Sequence, residues 1–172
     1  MVGMYKYIKE AWKKPDAVTL KARMVEWRKG DAVEKVEKPL RLDRARALGY
    51  RAKKGFVVFR VRVKRGGHKR TRPHKGRQTR KLTIRKNLDL NYRNIAERRA
   101  QAKHINLEVL NSYWIGKDGM HYFYEIIMVD PKRSEIKNDP KINWIANKKN
   151  SNRVLRGLTS SGKKSRGLRA RE

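Results

Sequence analysis

Between Arg44 and Leu88 the chain carries 18 lysines and arginines and not one acidic residue. Guanidinium and ammonium groups packed this densely, with no carboxylate to pair them, are suited to holding phosphate oxygens. A merely solvated basic face would mix both signs. The candidates for this chemistry are Arg44, Arg46, Arg51, Lys53, Lys54, Arg60, Arg62, Lys64, Arg65, Lys69, Arg70, Arg72, Lys75, Arg77, Arg80 and Lys81, with Gly66, Gly67 and His68 among them. Arginine outnumbers lysine from Arg60 to Arg85, which favours forked contacts to phosphate over point charges. A second acid-free block runs from Pro140 to Arg171 and adds Arg156, Gly157, Ser161, Lys163, Lys164, Arg166 and Arg169. Its glycines and small residues let a backbone approach a phosphate ridge. Tyr113 and Trp114 are candidates for stacking on bases, although on a strand one of the two must face the buried side.

Other chemistries fit less well. Gly157 to Lys163, GLTSSGK, has the spacing of a phosphate-binding P-loop. Lys164 stands where a magnesium-holding hydroxyl is needed, and no buried strand precedes the motif, so it reads as flexible basic tail. Lys54-Gly55-Phe56 begins like the aromatic strand of RNA-recognition domains, but Val58 occupies the second stacking position. His68, His74, His104 and His121 are scattered, and there is no cysteine, so no metal site is expected. A nuclease or RNA-modifying enzyme needs converging carboxylates. Asp118, Glu125 and Asp130 are the nearest candidates, with Asp118 in a turn and Glu125 packed or paired locally. A binding role, with no catalytic residues, is the expectation.

The whole chain is 172 residues long, with 47 Lys and Arg against 16 Asp and Glu, a formal net charge of +31. A compact body with this charge repels itself unless a polyanion neutralises it. Nucleic acid is the expected partner, and RNA is favoured over DNA because flexible basic segments fit irregular single strands and clefts, while no helix-turn-helix or zinc finger is visible. Leu, Ile, Val and Phe make up about 22% of residues, enough for one small core but not for a core along the whole length. No apolar run approaches a membrane span, and the residues after Met1 show no apolar stretch with a cleavage site.

These side chains need elements to hold them. Tyr5, Ile8 and Trp12 fall at helical spacing between Met4 and Trp12, and Pro15 interrupts. Asp16 can cap a second helix with Ala17, Leu20, Met24 and Trp27 on one face, ended by Gly30. Ala32 to Val36 suggests a short strand, and Asp43 to Leu48 a helical turn or two stopped by Gly49. Phe56 to Val63, FVVFRVRV, predicts a half-buried strand with Val57, Phe59, Val61 and Val63 inward and Arg60 and Arg62 on a basic outer face. Lys64 to Asn87 has too few apolar groups to order itself and predicts an extended loop. Asn91 can cap a helix to about Lys103, with Tyr92, Ile95, Ala96 and Ala102 close on the wheel. Leu107 to Ile115 and Tyr122 to Val129 predict an antiparallel hairpin turned by Gly116, Lys117, Asp118 and Gly119.

The element order predicts an α+β fold: a small domain with a mainly antiparallel sheet packed by helices, plus a long basic RNA-binding loop and a C-terminal extension. The domain is expected over residues 1–139, including the basic loop at 64–90. Residues 140–172 are expected to form an extended basic tail of roughly 110 Å reach.

Several blocks resemble the archaeal and eukaryotic large-subunit ribosomal protein family L-fifteen-e (L15e). They are Met4 to Ile8, Arg44 to Val63 followed by KRGGHKR to Arg70, Val109 to Gly116 (VLNSYWIG), Val129 to Pro131, and Arg156 to Leu168 (RGLTSSGKKSRGL). Gln78 to Asn91 matches weakly, and the chain stops at Glu172 where family members continue with further basic residues. The resemblance implies a structural, rRNA-binding protein of the cytoplasmic large subunit, with large-subunit rRNA and neighbouring ribosomal proteins as partners. It implies no membrane, small-molecule substrate or cofactor, magnesium entering only with the rRNA. The missing cysteine and short tail resemble archaeal members. The alternative is a non-ribosomal RNA-binding or RNA-processing protein.

Overall fold

A computed structural model describes residues 3–67 and 88–169. The predicted loop candidates His68, Lys69, Arg70, Arg72, Lys75, Arg77, Arg80 and Lys81 lie outside the described residues. The elements are α1 (Met4–Ala11), α2 (Ala17–Lys29), β1 (Val33–Val36), α3 (Leu42–Ala47), β2 (Phe56–Lys64), α4 (Tyr92–Lys103), β3 (Glu108–Lys117), β4 (His121–Val129), α5 (Ser134–Lys137) and α6 (Ser160–Ser165), with 3-10 turns at Asn143–Ala146 and Lys148–Asn150. The fold is α+β, with a four-stranded, wholly antiparallel sheet in the order β1-β2-β4-β3.

The capping residues act as their types require. The Asp16 carboxylate accepts from Thr19 N at 2.8 Å and opens α2, and the Asn91 side chain accepts from Asn94 N at 2.8 Å and opens α4. In the β3–β4 turn, Asp118 Oδ1 accepts from the amides of Met120 (2.7 Å) and His121 (2.5 Å). Gly116 and Lys117 belong to β3 itself, beside an irregularity in its pairing with β4.

β4, HYFYEIIMV, is apolar at almost every position, the pattern of a strand covered on both faces. One face packs Val58, Tyr113, Phe123 and Ile127 against Trp27 of α2, Ala45 of α3, Ile136 of α5 and Ile142 and Ile145. The other packs Phe59, Val61, Val63, Ile126 and Met128 against Ala96 and Ala100 of α4, whose small side chains let the helix lie close.

Double coverage corrects the basic outer face predicted for β2. Arg60 lies 5.3 Å over the Trp27 ring and donates to Glu34 at 2.6 Å, while Arg62 donates to the carbonyl oxygen of Arg28. Both guanidiniums lie beneath α2, where their stems add to the packing.

The C-terminal stretch differs most from expectation. In place of an extended tail, residues 140–169 wrap from one face of the sheet around the β3 edge to the other. Ile142 and Ile145 join the first core and Val154, fully buried, the second. At the edge, Arg153 Nη1 donates to the carbonyl oxygens of Val109 (2.9 Å) and Leu110 (2.8 Å), and the Asn152 amide donates to Glu108 Oε1 at 2.8 Å. Groups on an edge strand that would otherwise lack partners are thereby satisfied. The strap ends with α6 docked on α4. There Thr159 Oγ1 donates to Glu97 Oε2 at 2.7 Å, and Ser161 Oγ to Asn91 Oδ1 at 2.7 Å. Gly157, at φ +67°, backs onto Gly162 so closely that a Cβ on Gly162 would sit 2.7 Å from the Gly157 Cα. The P-loop-like glycines thus serve a loop-on-helix contact.

Candidate nucleic-acid interface

Three carboxylates are withdrawn from the surface. Glu97, Glu108 and Glu125 are buried, at 0%, 6% and 1% exposure. Glu125 accepts from Tyr113 Oη and from the Leu40 amide at 3.0 Å. Glu97 accepts from the Ser112 and Thr159 hydroxyls and lies 3.8 Å from Arg93 Nε. Burial pushes the carboxyl pKa of both above the usual range. Hydrogen bonds from these partners, and the charge of Arg93 near Glu97 or Arg60 near Glu125, oppose the shift. With these acids inside, the surface left to solvent is richer in cations than composition suggests.

The structure divides the predicted phosphate-binding residues. Arg44, Arg46, Arg51 and Lys54 around α3 and its following turn are exposed, as are Lys64 at the end of β2 and Lys163, Lys164, Arg166 and Arg169 on and after α6. None of these has an ion-pair partner among the described residues. Arg46 reaches over the Tyr5 ring at 5.9 Å. Gly66 and Gly67, exposed and at positive φ (+69° and +76°), lead into the basic stretch, and no atom of the described residues lies where a side chain would be.

Other candidates have internal work. Lys53 Nζ is 2.5 Å from Asp139 and donates to the Glu135 carbonyl oxygen at 3.0 Å. Arg60 and Arg62 lie under α2, as above. Arg65 donates to the Asp118 carbonyl oxygen at 2.7 Å and covers the Tyr122 ring. Arg156 donates to the carbonyl oxygens of Lys149 and Ser151 within the strap. Gly157 and Ser161 are buried. Of the two stacking candidates, Tyr113 is in the core with its hydroxyl on Glu125, where burial and that carboxylate push its pKa well up, whereas Trp114 is 42% exposed.

Sequence reasoning missed Lys9 and Arg93. Lys9, exposed on α1, and Arg93, in the first turn of α4, converge on Trp114 and Arg44 from elements far apart in the chain. Arg93 looks like an ordinary helix-surface arginine in sequence. No local signal marks it.

The three carboxylates nearest to an enzymatic reading do not meet. Asp118 holds the hairpin turn, Glu125 is buried beneath Leu40, and Asp130 accepts from the Lys132 amide at 3.0 Å. Among the described residues no three His, Cys, Asp or Glu side chains group as metal ligands, and no helix is long and apolar enough to cross a membrane.

A small α+β domain that buries three of its acids and displays unpaired cations is built to face a polyanion. The family model described as Ribosomal L15, that of L15e, matches residues 3–172, and the chain belongs to this family of ribosomal proteins. The family is a structural one of the cytoplasmic large ribosomal subunit, not an enzyme family, and membership implies association with rRNA and other ribosomal proteins.

Proposed function

We propose that this chain binds and stabilises folded large-subunit rRNA through two basic surfaces. One is formed by α3 and the start of the loop after β2, the other by α6 and the residues following it. The observation that carries this reading is the segregation of charge. Arg44, Arg51, Lys54, Lys64, Lys163, Lys164, Arg166 and Arg169 are exposed and form no ion pair among the described residues, while Glu97, Glu108 and Glu125 are buried. Such cations displace condensed counterions from converging phosphates and hold together RNA segments that would repel each other. The reading gives the chain a binding role without catalytic residues and without a cofactor of its own, magnesium entering only with the RNA. Because α6 is docked rather than threaded, its cations are presented from a fixed surface, which lowers the ordering cost of binding.

The test is the salt dependence of binding to large-subunit rRNA. Replacing Lys163, Lys164 and Arg166 together by Gln should flatten the slope of log affinity against log salt by about two to three units. An unchanged slope with intact folding would overturn this assignment of α6.

A further inference from the structure

A cleft of about 370 Å³ lies between α1, α3, the first turn of α4 and β3, within the size range of small-ligand sites. Trp114 forms one wall, 42% exposed on a strand whose neighbours Tyr113 and Ile115 are buried. Most of the remaining lining is cationic. Lys9 and Arg44 are exposed, and neither has an ion-pair partner among the described residues. Arg93 is fixed in place, its Nε donating to Ser112 Oγ at 2.7 Å and its Nη2 to Asn111 Oδ1 at 2.5 Å. Its Nη1 has no hydrogen bond among the described residues.

These cations crowd one another. The Arg93 pKa is lowered by burial, an effect that Glu97 opposes and that the positive charges of Arg44 and Arg169 reinforce. The one acid lining the cleft, Asp43, lies 3.6 Å from Arg41 and is matched by it. Glu97, 3.8 Å from Arg93 Nε on its buried side, offsets only that guanidinium, and Lys9 and Arg44 form no ion pair among the described residues. Such an excess of positive charge forms an anion site, and a guanidinium offers phosphate a forked contact. An exposed indole beside that site adds a plane on which any base can stack.

We propose that this cleft holds one unpaired RNA nucleotide, its base stacked on Trp114 and its phosphate between Arg44 and Arg93, with Lys9 on an adjoining phosphate. The proposal rests on the RNA-binding reading above and adds a specific contact to it. Stacking is insensitive to salt and the phosphate contacts are not, so the two halves separate experimentally.

The experiment measures binding of the full chain to two probes across a salt series, a single-stranded decauridylate and a decamer of the same phosphates without bases. Extrapolated to 1 M salt, Trp114→Ala should bind decauridylate at least fivefold more weakly than wild type, the low end of what one stacked base contributes. Its salt slope should be unchanged and its binding to the base-free decamer unaffected. Trp114→Phe should retain most of the affinity. Arg44→Gln should flatten the slope by about 0.7 on both probes, the share of one phosphate on a single strand. The melting temperature of each variant, measured alongside, separates lost contacts from lost fold. If Trp114→Ala binds decauridylate as wild type does, or loses equally on both probes, the cleft is not a nucleotide site although the RNA-binding reading stands. If wild type shows no salt-dependent binding to either probe, both fall.

Discussion

Replacing Glu97 by alanine should loosen the C-terminal strap from α4 and destabilise the whole domain. The carboxylate is fully buried and receives the Ser112 and Thr159 hydroxyls, with Arg93 3.8 Å away. Hydrogen bonds to a charged group contribute about 1.5–3 kcal/mol each, and removal strands two buried donors and takes the carboxylate from the partly exposed Arg93. Against that stands the cost of burying the carboxylate, visible in its raised pKa, which the variant escapes. The balance is a loss of about 3 kcal/mol, in keeping with the range for breaking buried ion pairs. For a chain of this size that lowers the melting temperature by roughly 6–12 °C. Thr159→Val, which removes only the strap's hydroxyl, should cost about 1–2 kcal/mol. The double variant should be little worse than Glu97→Ala alone, because the two groups share one bond. Thermal denaturation gives the energies, and trypsin cleavage at Lys163, Lys164 and Arg166 reports release of α6. Full additivity in the double variant, or Glu97→Ala melting within about 2 °C of wild type without faster cleavage, would refute the reasoning.

Two further outcomes follow from the same geometry. Because Glu97 has its pKa raised on folding, the folded state holds the proton to higher pH than the unfolded chain, whose ordinary value is 4.5. Its contribution is therefore full below that value and lost as pH rises through the raised folded pKa, so the melting difference between wild type and Glu97→Gln should shift against wild type with rising pH. A difference that moves the other way would contradict the assignment. Asp118→Ala removes the acceptor of the Met120 and His121 amides and the 3.3 Å contact to Arg28, and should cost about 1–3 kcal/mol in chemical denaturation. Amide exchange should quicken first at His121 if the turn depends on that carboxylate.

The parts of the fold legible in the sequence are those set by near neighbours. The Asp16 and Asn91 caps, the β3–β4 hairpin and the apolar run of β4 depend on residues a few positions apart, and periodicity finds them. Arg60 and Arg62 were opaque, because alternating polar residues look alike whether they face water or lie beneath a helix. What covers them is Trp27 and Arg28, more than 30 residues away. The strap was opaque for a different reason. Its anchors are Thr159, Ser161, Gly157 and Gly162, types that read as solvated loop, and its buried apolar residues Ile142, Ile145 and Val154 are too few to show a period. What holds it is a buried carboxylate on another element, which local composition does not register. Among the site residues, exposed cations on α3 and α6 were legible by type and by the lack of acids nearby. Arg93 was not, because its value lies in where α4 places it relative to Trp114.

The strap also sets an order of events in the life of the chain. Synthesis runs from the N-terminus, so β3 and β4 are made before Arg153 exists to occupy the carbonyl oxygens of Val109 and Leu110. Until the strap docks, any sheet that has formed keeps an open edge at β3, and Glu97 lacks Thr159. An unclosed edge is a template for pairing with other chains, and a cationic chain among nascent RNA is equally open to premature, disordered contacts. The strap thus acts as a latch on folding. It shuts the sheet against wrong protein partners in the same step that brings Lys163, Lys164 and Arg166 into a fixed array.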